Sequence, residues 1–109
     1  MKHKITLPQL KKYDITQKVI EALADAESRS IIFSITRKGM TATELSHTLK
    51  IPLSSVYKKL TDLEHLTLIE IEKTVLSEKG KRFKVYKSRI NRAEISIRKP
   101  EPILSLTAN

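Results

Sequence analysis

Ser54, Ser55, Tyr57, Lys58, Lys59 and Thr61 crowd into the stretch IPLSSVYKKLTDLE at positions 51–64. Hydroxyls, a phenol and two ammonium groups at this density suit hydrogen bonding to an acceptor-rich, anionic partner rather than bond-making chemistry. Val56, Leu60 and Leu63 lie between them, three or four residues apart, so the stretch reads as an amphipathic helix with one buried face. Donors gathered on the first turns of a helix match the major groove of duplex DNA. A serine hydroxyl can bond a base or a phosphate, and Lys58 can reach a guanine acceptor or a phosphate. Tyr57 can bond a phosphate or pack on a thymine methyl. No bidentate Arg–guanine or Asn–adenine reader is among them. Taken alone, the stretch is equally well a plain amphipathic helix with a solvated lysine face, so its neighbours decide the reading.

A second group of donors lies further on. Lys79, Lys81, Arg82 and Lys84 surround Gly80 in SEKGKRFK, where a flexible basic tip can lie along phosphates or enter the minor groove. Nine bases occupy the 21 residues from Lys79 to Lys99, opposed by Glu94 alone. Lys2, Lys4, Lys11 and Lys12 form a smaller group near the beginning. The net charge is +9 and the pI about 9.9, while positions 20–78 are nearly balanced. Clustering of this kind suggests a polyanion footprint, with a generally solubilising surface as the plainer alternative. Thr41 and Thr43, at the start of a short helix, are candidates for phosphate contacts.

Other chemistries find little support. The chain has no cysteine, so disulfides and thiolate metal sites are excluded. His3, His47 and His65 show no metal-ligand spacing, and no metal or other cofactor is expected. Glu70 and Glu72 share a strand face among lysines and read as solvated. There is no Gly-rich phosphate loop, nucleophile elbow or triad order, so an enzyme is not expected. No apolar run approaches the roughly 18–20 residues that span a bilayer, and the N-terminus lacks a signal-peptide core. A cytoplasmic, nucleoid-associated protein without a membrane or small-molecule partner is the expectation.

The elements that must position these donors follow from caps and periods. Asp14-Ile15-Thr16-Gln17 has capping-box form and predicts a helix from Asp14 to about Ala24. Asp25 reads as a second N-cap, opening a helix to about Lys38 that turns Ile31, Ile32 and Ile35 inward. Gly39 then closes it as a left-handed residue. Thr41-Ala42-Thr43-Glu44 is another capping box, and the short helix after it buries Leu45 and Leu49 before Pro52. Ser54 is read as the N-cap of the next helix, which ends near His65. The period then changes to two. LIEIEKTVL and RFKVYKS form a hairpin with Gly80 at its tip, the first placing Ile69 and Ile71 together and the second Phe83 and Val85. INRAEISIR at 90–98 fits either a strand or a short helix. Pro100 and Pro102 introduce a tail. The expected organisation is a basic arm at 1–13, a folded domain at 14–98 and a flexible tail at 99–109.

Two short helices joined by a tight turn and followed by a basic hairpin make an α+β, winged helix-turn-helix pattern of three to four helices and a wing. ADAESRSIIFSI, TATELSHTLKIPLSSVYKKLTDLEHLTLIE and KGKRFKVYK together resemble the arsenic-repressor (ArsR-type) family of bacterial and archaeal transcriptional regulators. The resemblance covers about two thirds of the chain, from Asp25 to about Arg89. It implies sequence-specific binding of double-stranded DNA, with the helix at about 54–65 in the major groove and the wing at about 77–84 on the backbone or minor groove. Ala26 stands where many members have proline, and the cysteine pair of metal-sensing members is missing. A homodimer is expected, with the first helix, 90–98 and Phe33 as candidate surfaces. Two other readings stay open: a nonspecific, chromatin-type nucleic-acid binder, and a winged-helix protein–protein interaction module of a transcription assembly.

Overall fold

The computed structural model describes residues 7–109, with side chains from Ile15 onward. Four helices come first: α1 (Leu7–Ala24), α2 (Ala26–Ser34), α3 (Ala42–Leu49) and α4 (Leu53–His65). The two-residue strand β1 (Met40–Thr41) precedes α3. After α4 come β2 (Ile69–Leu76), β3 (Arg82–Ser88), β4 (Ile90–Ser96) and β5 (Ile103–Ala108). A three-stranded antiparallel sheet has the order β1-β3-β2, and β4 with β5 forms a second sheet of two strands.

α1 starts seven residues earlier than its capping pattern suggests. Asp14 is therefore helical and not an N-cap. Pro8 sits in the first turn, where its missing N–H removes no helical bond. Of the expected basic arm, residues 7–13 belong to this helix and residues 1–6, with Lys2, His3 and Lys4, lie outside the described residues. Asp25 does cap α2, accepting the Ser28 N–H at 2.9 Å. α2 nevertheless stops at Ser34, four residues short of Lys38, and the carbonyls that follow it have partners elsewhere in the fold. Ser88 N–H donates to the Ile35 carbonyl at 3.0 Å, Asn109 Nδ2 to Thr36 O at 2.8 Å and Lys87 Nζ to Arg37 O at 2.5 Å. Gly39 is not left-handed. It is required for a different reason: a Cβ there would stand 2.6 Å from Val85 Cγ1 and 3.1 Å from the Tyr86 carbonyl oxygen. β1 can pair with β3 only because this residue is bare.

The capping box of α3 is formed in both directions, Glu44 N–H to Thr41 Oγ1 at 3.2 Å and Thr41 N–H to Glu44 Oε1 at 3.0 Å. Lys50 closes α3 in a left-handed conformation (φ 57°), and Ser46 Oγ donates to the Ile51 carbonyl at 2.6 Å across the turn. Pro52 opens α4 with no side-chain cap, which puts Ser54 inside the first turn rather than before it. Leu45 of α3, Val56, Leu60 and Leu63 of α4, and Ile31, Ile32 and Ile35 from α2 and its C-terminus share one core with Leu68 and Ile69.

The wing departs from simple alternation. Glu72 is a bulge residue, lying between the pairs Ile71↔Tyr86 and Lys73↔Val85. On β3 it is Tyr86, with Ser88, that enters the core, while Val85 is buried against Gly39 outside the main cluster. A bulge shifts the pairing by one residue, so the alternation on either side of it refers to different faces. Of residues 90–98, Ile90–Ser96 form a strand, and residues 103–108 of the expected flexible tail are β5. The antiparallel register from Arg92↔Thr107 to Ser96↔Ile103 ties it to β4, and Asn109 fastens its end to Thr36, Ser88 and Arg89.

Gly39→Ala should lower stability by about 1–3 kcal/mol, the usual cost of forcing an extra carbon into packed surroundings. Gly80→Ala meets open space and strains only a positive φ of 80° at the wing tip. Thermal unfolding of the two variants separates the cases, because only the first change displaces β1 from β3.

Candidate nucleic-acid interface

α4 divides cleanly into two faces. Val56, Leu60 and Leu63 are 0–1% exposed and hold the helix to the core. Ser54, Tyr57, Lys58 and Thr61 are exposed on the other side, and Ser55 is half-buried at its edge. Tyr57 keeps 47% of its surface in solvent. The Thr61 hydroxyl donates to the Tyr57 carbonyl at 2.9 Å, which steadies its rotamer and leaves its oxygen lone pairs directed outward.

Lys59 takes no part in this face. Its ammonium donates to Asp25 Oδ2 at 2.7 Å and lies 3.6 Å from Glu27 Oε1, so its side chain runs back toward the start of α2. The physical reason is helical phase: Lys59 lies between the buried stripe and the exposed face, within reach of an acidic helix N-terminus. The same Asp25 oxygen also accepts the Ser28 hydroxyl at 2.8 Å. Lys59, then Ser28 through its hydroxyl and its N–H, hold the Asp25 carboxyl down to about 2. The hydrogen bond to Asp25 raises Lys59 in turn. One carboxylate thus caps α2 and locks α4 against it. Nothing in the sequence marks a partner 34 positions away.

The helix at Thr41 divides similarly. Thr41 uses its oxygen on the capping box, and the Thr41 N–H bond lowers the Glu44 carboxyl. Thr43 is exposed.

Lys79, Lys81, Arg82 and Lys84 are all exposed on the wing. Its tip is a closed turn: Ser77 N–H donates to the Lys81 carbonyl at 2.8 Å, Gly80 N–H to the Ser77 carbonyl at 2.9 Å, and Lys81 N–H to Ser77 Oγ at 3.0 Å. Alternation along β3 places Arg82 and Lys84 on the same side of the ribbon as Tyr86 and Ser88, the side turned to the helices. Tyr86, at the foot of the wing, shares the core with Val56, Leu60 and Leu63 of α4, and burial, then Glu64 and Tyr57, push its hydroxyl up. Two exposed cations that no sequence motif singles out adjoin these groups: Lys50 in the turn before α4, and Lys73 on β2. Their exposure next to a turn and a bulge is the only signal they carry. Among the described residues there is no cluster of His, Asp and Glu fit for a metal ion and no helix long and apolar enough to cross a membrane.

A short helix, a left-handed turn, an exposed second helix and a two-stranded ribbon are now in place. The fold is a winged helix. No protein-family model matches the sequence, and no curated protein matches it. Among solved structures, NolR from Sinorhizobium fredii superposes with a TM-score of 0.59, covering 80% of this chain and 81% of NolR at 16% sequence identity. At that identity the likeness is one of fold, and it matches the four helices and antiparallel hairpin of this winged helix.

Because the Asp25 carboxyl is held from 3.8 to about 2, its contribution is present above about pH 4 and is lost as pH falls toward 2. Asp25→Asn should flatten the acid limb of the stability curve in that window while remaining a competent cap. Urea unfolding at pH 2–6 checks this. A parallel loss at every pH would show that Lys59 is not the carboxylate's partner.

Proposed function

We propose that the protein is a sequence-specific transcriptional regulator of double-stranded DNA, acting in the cytoplasm on the nucleoid as a homodimer. The observation that carries the reading is α4 itself. Its apolar stripe is spent in the core, and Ser54, Ser55, Tyr57, Lys58 and Thr61 remain outward beside a basic wing. The likeness of fold to NolR, a winged-helix transcriptional regulator, supports it. Within such regulators the sequence motifs favour an ArsR-type relationship.

In this reading α4 enters the major groove. Lys58 and Tyr57 contact base edges or phosphates, and the serines sit at an uncapped helix start whose first-turn N–H groups favour an anion. Lys79, Lys81, Arg82 and Lys84 follow the backbone or reach the minor groove, and Thr43 adds a phosphate contact from α3. Lys59 acts from behind as a structural cation and touches no DNA. Two copies set their α4 helices about 34–36 Å apart, one helical turn, and demand a near-palindromic site. A second reading, nonspecific chromatin-type binding, is favoured by one feature: α4 carries no Arg, Asn or Gln to read a base bidentately.

Selection from a random duplex pool at about 0.15 M salt separates the readings, since purely electrostatic binding is already weakened there. An inverted repeat should be enriched. Retention without enrichment would favour the chromatin-type reading, and no retention would leave a protein-interaction module. On the selected site, replacing Lys79 and Lys81 by alanine should reduce the slope of log K against log salt by about 2, or about 0.9 for each phosphate no longer neutralised. Lys58→Ala should lower affinity at every salt concentration tested. Lys59→Met should cost little stability and leave the salt slope unchanged.

A further inference from the structure

The β4–β5 sheet is the part of the molecule that the DNA-facing geometry does not use. Its two strands pair only with each other, and an isolated two-stranded ribbon is marginal in water. It carries exposed apolar side chains: Ile95, Ile103 and Leu106 are 41–63% exposed, and Ile97 just beyond β4 is 77% exposed. The register puts Ala93 with Leu106 and Ile95 with Leu104 on one face, whereas Arg92, Glu94 and Ser96 share the other with Thr107, Ser105 and Ile103. Leu104 packs against the core, so the apolar face leans toward the body of the protein.

The free edges differ sharply in charge. β4 bears Arg92 and Glu94, which pair with each other, and Arg98 follows the strand. In a chain of net charge +9, the run PILSLTAN at 102–109 carries no charged side chain. Exposed edge strands are ordinarily blunted by lysine, proline within the strand or a bulge. β5 has none of these; its bulged partner position, beside Asn91, is on β4.

We infer that the open edge of β5 is a dimerisation edge, taken by β5 of a second copy in antiparallel pairing to make one four-stranded sheet β4-β5-β5′-β4′. Charge selects this occupant. Two copies at +9 repel wherever their basic segments meet, and β5 is a segment that brings no like charges together. An acidic partner would find nothing here to neutralise. An antiparallel pair of identical strands has a two-fold axis, so the interface is closed and goes no further. Four strands also exceed the minimum at which a sheet is stable by itself. β3 runs from the wing tip at Arg82 to its foot at Ser88 before the chain enters β4. The paired hairpins therefore grow from the foot, and both wing tips stay free. This names the surface for the dimer in the proposed DNA-binding reading, yet it is measured without DNA, so either can fail while the other stands.

The test uses the full chain and its lack of cysteine. Sedimentation equilibrium at roughly 100 μM should show a species of twice 12.5 kDa. Ser105→Lys places a lysine opposite Glu94 within its own hairpin, which favours the folded ribbon, but sets two lysines near the axis of the dimer. It should give a folded monomer whose unfolding midpoint no longer rises with protein concentration, as the wild type's should. The single-cysteine variant S105C, near the axis, should form a disulfide-linked dimer on mild oxidation, and S77C at the wing tip should not. A monomeric wild type overturns the inference. So does a dimer that survives Ser105→Lys or that cross-links no faster at β5 than at Ser77, either of which would move the interface to another face such as α1 or Phe33.

Discussion

The direction in which α4 points depends on the burial of Val56, Leu60 and Leu63. These three side chains are spaced so that a helix must present them together, and their removal from water is the main force holding α4 against α2, α3 and the start of β2. Burial of a stripe fixes which face is inward but leaves some freedom to slide and rotate. The Lys59–Asp25 contact removes part of that freedom, because the carboxylate is itself immobilised by capping α2. An ion pair this accessible adds little stability and instead sets register. The outward set of Ser54, Tyr57, Lys58 and Thr61 is a consequence of both constraints.

The wing is held by a different device. Its outer half, from about Glu70 to Arg82, has almost no buried surface, so its direction is set at the foot. There Tyr86 is buried beside α4, Val85 closes over Gly39, and β1 clips onto β3 through two residue pairs. A bare α-carbon at Gly39 and a bulge at Glu72 are small features, but they lie where the ribbon joins the body, and alternation along β3 then places Arg82 and Lys84 on the side of Tyr86. A basic ribbon aimed otherwise would have the same charge and a different reach.

Much of the fold is legible because its signals are local. The capping box at Thr41 and Glu44, the apolar stripe of α4, the change of period after Leu66 and the glycine tip at Gly80 each depend on residues within a few positions of one another. The departures are of the opposite kind. Asp14 has the form of a cap but lies inside α1, because a capping pattern does not exclude further helix before it. Gly39 has the form of a helix terminator and is instead a point of close approach. α2 ends early, and β3 and Asn109 take the carbonyls of Ile35, Thr36 and Arg37 that follow it. Proline at 100 and 102 suggests an unpaired tail, yet the strand begins immediately after them.

For this protein the sequence by itself determined the four helices and the wing hairpin as element types, the inward stripe of α4 and the position of the basic tip, since these follow from periodicity, capping and charge along a short stretch of chain. The tertiary structure decided which lysine is spent inside and which remains outside. Lys58 and Lys59 are adjacent and chemically identical, and they differ only because Asp25, far away in the chain, is brought within 2.7 Å of one of them. The pairing of 103–108 with 90–96 was likewise decided in three dimensions, because a strand needs an edge to pair with and its own residues do not name that edge.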